Sequence, residues 1–207
     1  FNKRKSFLSN TLSISYRKPL KIVRGWMQYL YDYEGRQYLD AVNNVPHVGH
    51  CNPKVIEAIV KQTTVLNINT RYLHDHITQL AEKLASMMPK SLSVCFFVNS
   101  GSEANDLAMR LASAHTGRYH VMTVEGGYHG NLTTLIDISP YKFNGPGGKG
   151  NPSHVTVVPM PDGLRGRHKY SDSNIGQQYA NEVAKLVENL DGPNKISAFI
   201  CESMISS

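Results

Sequence analysis

Four short apolar runs without polar alternation, at residues 94–98, 119–124, 155–159 and 196–201, constrain this chain more than any other feature. A strand that reads as continuous Val, Ile and Phe must be covered on both faces, which is the condition of a parallel sheet with helices on either side. Helical patterns fall between the runs, at 104–116 and at 174–190, where Val183, Leu186, Val187 and Leu190 recur at helical spacing. Strand, helix, strand in alternation predicts an α/β layer architecture.

The portion before these runs has a different texture. Residues 1–19 are polar and irregular. Residues 21–25, 28–32 and 37–40 read as three short antiparallel strands, with a turn signal at Asp32-Tyr33-Glu34-Gly35-Arg36. Asn52 followed by Pro53 starts a helix that carries Val55, Ile56, Ile59 and Val60 on one face, and a second helix is expected over 75–88. We therefore expect an N-terminal segment, 1–88, with small-domain and connecting helices, followed by part of a large α/β domain over 89–207.

The bulk properties exclude several classes. The net charge of +6 is moderate, and no run of Lys and Arg interleaves with aromatics as a nucleic-acid groove requires. A mean hydropathy of -0.33 and the lack of a long apolar stretch speak against a membrane span. Three cysteines without a CxxC pair fit reduced thiols, as in the cytoplasm or the mitochondrial matrix; Cys95 and Cys201 sit in apolar runs and are expected in the core. His47, His50, His74 and His76 have tempting spacings, but no HExxH or Cys/His framework accompanies them, and no metal is expected.

Two turns carry the chemistry. Ser100-Gly101-Ser102-Glu103 follows the first apolar run and opens a helix. The free N–H groups of a first helical turn and the helix dipole together favour an anion, and phosphate is the common occupant. Ser100 and Glu103 also have the spacing of a capping box, so an ordinary capped helix accounts for the same residues. The chain has neither GxxxxGK[ST] nor GxGxxG, which removes the P-loop and the dinucleotide fingerprint. Gly126-Gly127-Tyr128-His129-Gly130 follows the second run, where Tyr128 offers a flat ring for stacking and His129 a donor or acceptor. Glu202 follows the last run. Three strand ends thus present a phosphate turn, a ring and a carboxylate, which suits an aromatic phosphorylated coenzyme.

These turns, read with residues 29–32 and 38–40, the loop 43–50, residues 69–75 and residues 99–106, resemble the class III, pyridoxal-phosphate-dependent aminotransferases of fold type I. The resemblance runs from Leu20 nearly to the end. Within the class the wording is most similar to the alanine–glyoxylate aminotransferase 2-like branch, which includes phospho-lyases for ethanolamine phosphate, and Ile138-Ser139-Pro140-Tyr141-Lys142-Phe143 strengthens that grouping. The resemblance implies pyridoxal 5'-phosphate held by Ser100, Gly101, Ser102, Tyr128, His129 and Glu202. It implies that Asn44, Arg71 and Tyr72 lie by the substrate entrance, and that the complete enzyme is a homodimer acting on a small amine or phosphorylated amine. It also implies a pyridine-nitrogen aspartate and a Schiff-base lysine downstream of Glu202, after which only five residues follow. Lys142, Lys149, Lys169, Lys185 and Lys195 do not fit that lysine's motif. The chain therefore reads as an inactive fragment of an amino-transferring enzyme or of a phosphate-eliminating lyase.

Overall fold

The computed structural model describes residues 2–43, 45–190 and 195–204. The chain divides into two units, Phe1–Thr78 and Gln79–Ser207.

In the first unit, helix α1 (Asn2–Phe7) precedes a three-stranded antiparallel meander of β1 (Ile22–Trp26), β2 (Tyr29–Asp32) and β3 (Gln37–Leu39), ordered β1-β2-β3. The polarity of residues 1–19 gave no sign of α1. The β2–β3 turn is organised by Asp32, whose carboxylate accepts the N–H groups of Glu34 and Arg36, the Arg36 Nε–H and the Tyr38 hydroxyl at 2.8–3.0 Å. Burial pushes that carboxyl up, but the Tyr38 hydroxyl and the two N–H donors outweigh it and hold it below the ordinary aspartate value. His50 is paired with Asp40 at 2.7 Å, and its backbone bridges to Met27. Helix α2 (Pro53–Thr63) starts as expected, with the Asn52 side chain accepting the Lys54 N–H and Pro53 in the first turn. Its apolar face is exposed, with Val55, Ile56, Ile59 and Val60 at 44–57%. Helix α3 (Asp75–Ser86) begins in this unit and continues into the second, ending two residues before the expected Met88.

The second unit is the α/β layer. Helix α4 (Gly101–Thr116) leads to β4 (His120–Val124); two short helices follow, α5 (Thr133–Asp137) and α6 (Pro140–Phe143), then β5 (Val155–Val158), α7 (Ile175–Glu188) and β6 (Ile196–Ile200). The strands pair in parallel, in the order β5-β4-β6. All five residues of β4 are buried. Alternation splits them: Val121 packs with Leu135, Ile138, Phe143 and Val155 beside Met109 of α4, while Met122 and Val124 pack with Val158 and with Val183 and Leu186 of α7. Met122 and Leu135 are fully enclosed, and each such side chain contributes about 2–3 kcal/mol of burial.

Two expectations fail here. Residues 94–98 form no strand, and Val94, Phe96, Phe97 and Val98 are 41–76% exposed. A strand exists only through its ladder, and no strand among the described residues pairs with this run. Its composition announced a buried strand; composition alone does not supply a hydrogen-bonding neighbour. Cys201 is exposed rather than in the core, because it stands just beyond the end of β6, and Cys95 is only half-buried. None of the described helices is long and apolar enough to cross a membrane.

Candidate functional site

Parallel pairing sends the C-terminal ends of β4, β5 and β6 to one edge of the sheet, and there the two glycine turns and Glu202 lie. The N-terminus of α4 is capped locally. Ser100 is extended (φ -155°, ψ 160°), its Oγ accepts the Glu103 N–H at 3.1 Å and its carbonyl accepts the Ala104 N–H. Glu103 reaches back to the Asn99 N–H at 2.6 Å, one residue earlier than a standard capping box. The N–H groups of Gly101 and Ser102 are left without an acceptor among the described residues. At Gly101 a side chain would meet nothing within 4 Å. Cap and anion site are thus compatible: the cap uses the third and fourth donors and leaves the first two.

The second turn is bolted to this helix end. Ser102 Oγ accepts the Asn131 N–H at 3.1 Å, and Asn105 Nδ2 donates to the His129 carbonyl at 2.8 Å. At Gly130 (φ +144°) a Cβ would lie 2.5 Å from Leu135 Cδ1 and 2.9 Å from Ser102 Oγ, so only glycine allows the turn to sit this close to α4. His129 is buried. Its Nε2 meets Thr123 Oγ1 at 2.9 Å, and its N–H donates to Ser139 Oγ at 2.9 Å, while that hydroxyl donates to the Leu135 carbonyl at 2.6 Å. The third strand end closes the set: Glu202 Oε1 accepts the Tyr128 N–H at 2.7 Å. The Tyr128 ring is partly exposed and makes an edge contact with Tyr141, centroids 6.0 Å apart.

Ser100, Gly101, Ser102, Tyr128, His129 and Glu202 are therefore brought together, by hydrogen bonds that span up to 74 residues of sequence. Arg71 and Tyr72 belong to the other unit; Arg71 is exposed and donates to Asn69 Oδ1, while Tyr72 lines a pocket of ≈ 250 Å³. Asn44 lies outside the described residues. Sequence reasoning missed Thr123, Ser139 and Asn105. Thr123 and Ser139 are fully buried polar residues; for Thr123, a hydroxyl inside the buried strand β4 was the available signal. A larger cleft of ≈ 600 Å³ runs along α4, between Met109, Tyr119, Val121 and Ile138. Asp106 at its rim is already paired with Arg110 and Thr134, and none of the six residues above lines it.

Burial holds the His129 imidazole below the ordinary histidine value, and the Glu202 carboxylate pulls it part of the way back. The native ring is therefore neutral where the unfolded chain, near its free value of about 6.5, takes up a proton. The unfolded state then binds more protons, so stability falls as pH drops through about 6.5 and levels off below the depressed native value. Denaturant titrations at a series of pH values between 7.5 and 5 are expected to show that loss, and His129→Gln, which cannot titrate, is expected to flatten it.

A family model described as Aminotransferase class-III matches residues 13–207. The chain belongs to the class-III aminotransferase family. Its relatives include the alanine–glyoxylate aminotransferase 2-like protein of Drosophila melanogaster, 47% identical over 98% of this chain and 42% of its own length. Ethanolamine-phosphate phospho-lyase homolog 1 of Caenorhabditis elegans is 37% identical over 99% of this chain and 46% of its own. Among solved structures, a phospholyase from Arthrobacter in complex with phosphoethanolamine superimposes with a TM-score of 0.86 at 34% identity, over 97% of this chain and 47% of that one. The chain thus spans less than half the length of the relatives it matches. Likeness to that structure establishes the fold expected from the sequence, a pyridoxal-phosphate transferase α/β sheet, here in part.

Proposed function

We propose that this chain forms one part of a coenzyme site for pyridoxal 5'-phosphate in a longer class-III enzyme. The observation that carries the reading is the pair of acceptor-less N–H groups of Gly101 and Ser102 at the C-terminal edge of the sheet. Two N–H donors, the Ser100 and Ser102 hydroxyls and the positive end of a 16-residue helix match a phosphate monoester. The Ser102 hydroxyl accepts from Asn131 and so keeps its own proton to donate. Tyr128, its backbone tied to Glu202, offers a ring to stack on a pyridine. His129, clamped at Thr123 and Ser139 and favoured in its neutral form by burial, stands next to Tyr128 in the turn without adding charge.

When bound, the coenzyme supplies an electron sink for the carbon next to an amine nitrogen. The first reading is transfer of an amino group from an amine or amino acid to a 2-oxo acid. A second reading is favoured by the likeness to the Caenorhabditis relative and the Arthrobacter structure. There a phosphorylated amine loses a carbon-bound proton, the C–O bond breaks with its electron pair leaving on phosphate, and water completes the conversion to an aldehyde and ammonia. In either case Arg71, Tyr72 and Asn44 belong to the substrate entrance, the complete protein is a homodimer, and free thiols at Cys51, Cys95 and Cys201 suit the cytoplasm or mitochondrial matrix.

The test uses the complete gene product. After incubation with pyridoxal phosphate and removal of excess, it is expected to keep a visible absorbance band that Ser102→Ala weakens; a colourless wild-type protein would sink the reading. Inorganic phosphate and aldehyde released from phosphoethanolamine, measured against amino transfer to an oxo acid, separate the two reactions.

A further inference from the structure

A reaction on a phosphorylated amine brings two phosphate groups into one site, and each carries about 1.5 to 2 negative charges at neutral pH. The α4 N-terminus can serve one of them. The second needs a cation of its own, close to the coenzyme ring yet apart from that helix end.

Lys142 meets this description. It lies in α6, and Pro140 and Tyr141 before it form a short, well-tied step: the Tyr141 N–H donates to the Gly127 carbonyl at 3.2 Å, and the Lys142 N–H to the Ser139 carbonyl at 2.8 Å. Behind it the glycine loop folds back, with Gly145 N–H on the Lys142 carbonyl and Gly150 N–H on the Phe143 carbonyl. The backbone that carries Lys142 is thus pinned directly to the Tyr128 turn. Its ammonium stands 5.5 Å from the Tyr128 ring centroid and 5.8 Å from that of Tyr141. No carboxylate among the described residues forms an ion pair with it. Two phenol rings stabilise a cation without neutralising it. Lys142 is only partly buried, so its ammonium is open to an arriving anion.

We infer that Lys142 is the specificity-determining cation that receives the phosphate of a phosphorylated amine substrate, next to the ring of Tyr128. The inference rests on the coenzyme site described above and deepens it: it names the substrate class and the residue that selects it. Lys142 binds the leaving group and stabilises the charge that gathers on it as the C–O bond breaks; it takes no covalent part.

The experiment compares the complete wild-type enzyme with Lys142→Met and Lys142→Arg. The ratio of kcat/KM for phosphoethanolamine to that for an unphosphorylated amine, L-alanine, is expected to fall about 10- to 100-fold in Lys142→Met, the usual worth of one charge-assisted contact. Lys142→Arg, which keeps the charge and the donors, is expected to recover most of it. A second readout needs no turnover. Ethyl phosphate, which lacks the amine, is titrated calorimetrically into the coenzyme-loaded enzyme, and its Kd is expected to rise about tenfold in Lys142→Met. An unchanged ratio, an equal loss on both amines, or coloured wild-type enzyme that releases no phosphate overturns the inference and leaves the coenzyme site standing. Loss of the visible band in Lys142→Met also overturns it, because the cation would then serve the coenzyme's phosphate. A wild-type protein that never holds the coenzyme removes the earlier reading instead.

Discussion

Gly101→Asp in the complete enzyme is expected to cut its affinity for pyridoxal phosphate about a hundredfold, near 2.7 kcal/mol, while leaving its unfolding midpoint unchanged or slightly raised. The two effects separate because they act on different properties of one position. Gly101 is the first helical residue of α4, with Ser100 as its cap, and a side chain there would meet nothing within 4 Å. An aspartate at the start of a helix is favourable by about 0.3–1 kcal/mol through the dipole. Replacing glycine also removes freedom from the unfolded chain, worth about 0.4–1 kcal/mol. The same carboxylate occupies the field and the N–H donors that a phosphate would use. At about 4 Å two unit charges repel by about 4 kcal/mol near a protein surface, and salt reduces this. Gly101→Asn, without the charge, is expected to lose far less. Coenzyme binding followed by absorbance, with a thermal melt on the same samples, checks both halves. If the midpoint collapses together with affinity, the position is structural and the anion site is misassigned.

Gly130→Ala is expected to lower stability by about 2–4 kcal/mol from backbone strain and overpacking together. Its φ of +144° is one that L side chains rarely adopt, and the added carbon would press on Leu135, itself fully buried, and on Oγ and Cα of Ser102. Leu135 has no room to retreat, because it packs in the cluster around Val121. The turn must then lift away from α4, taking the Asn131 N–H off Ser102 and the His129 carbonyl off Asn105. Coenzyme retention should fall with stability. Gly147→Ala provides the contrast: its φ is +79° but nothing lies within 4 Å, so strain of about 1 kcal/mol is the whole cost. Chemical denaturation of both variants would show the difference, and equal midpoints would mean that Gly130 is not the close-packing point described here.

Much of this site could be read before the fold was known, and the reason is local. Caps, turns and helix starts are decided within four or five residues, so Ser100 with Glu103, Asn52 with Pro53 and the Asp32–Arg36 turn all announce themselves. The buried strand β4 is legible because every one of its residues must be covered. Pairing is not local. The run at 94–98 has the same apolar texture as β4, yet it has no neighbour to hydrogen-bond among the described residues. Ser139, Asn105 and Thr123 were passed over because their value lies in partners 10, 24 and 6 residues away. Serine before proline reads as a turn, and only the folded chain reveals it as the acceptor for a buried N–H.

The run at 94–98 has a consequence for biosynthesis. It is apolar, faces solvent and joins no strand among the described residues. Exposed apolar segments of this kind invite association between neighbouring nascent chains. Covering this stretch, by another segment or by a chaperone, therefore guards such a chain against sticking to its neighbours.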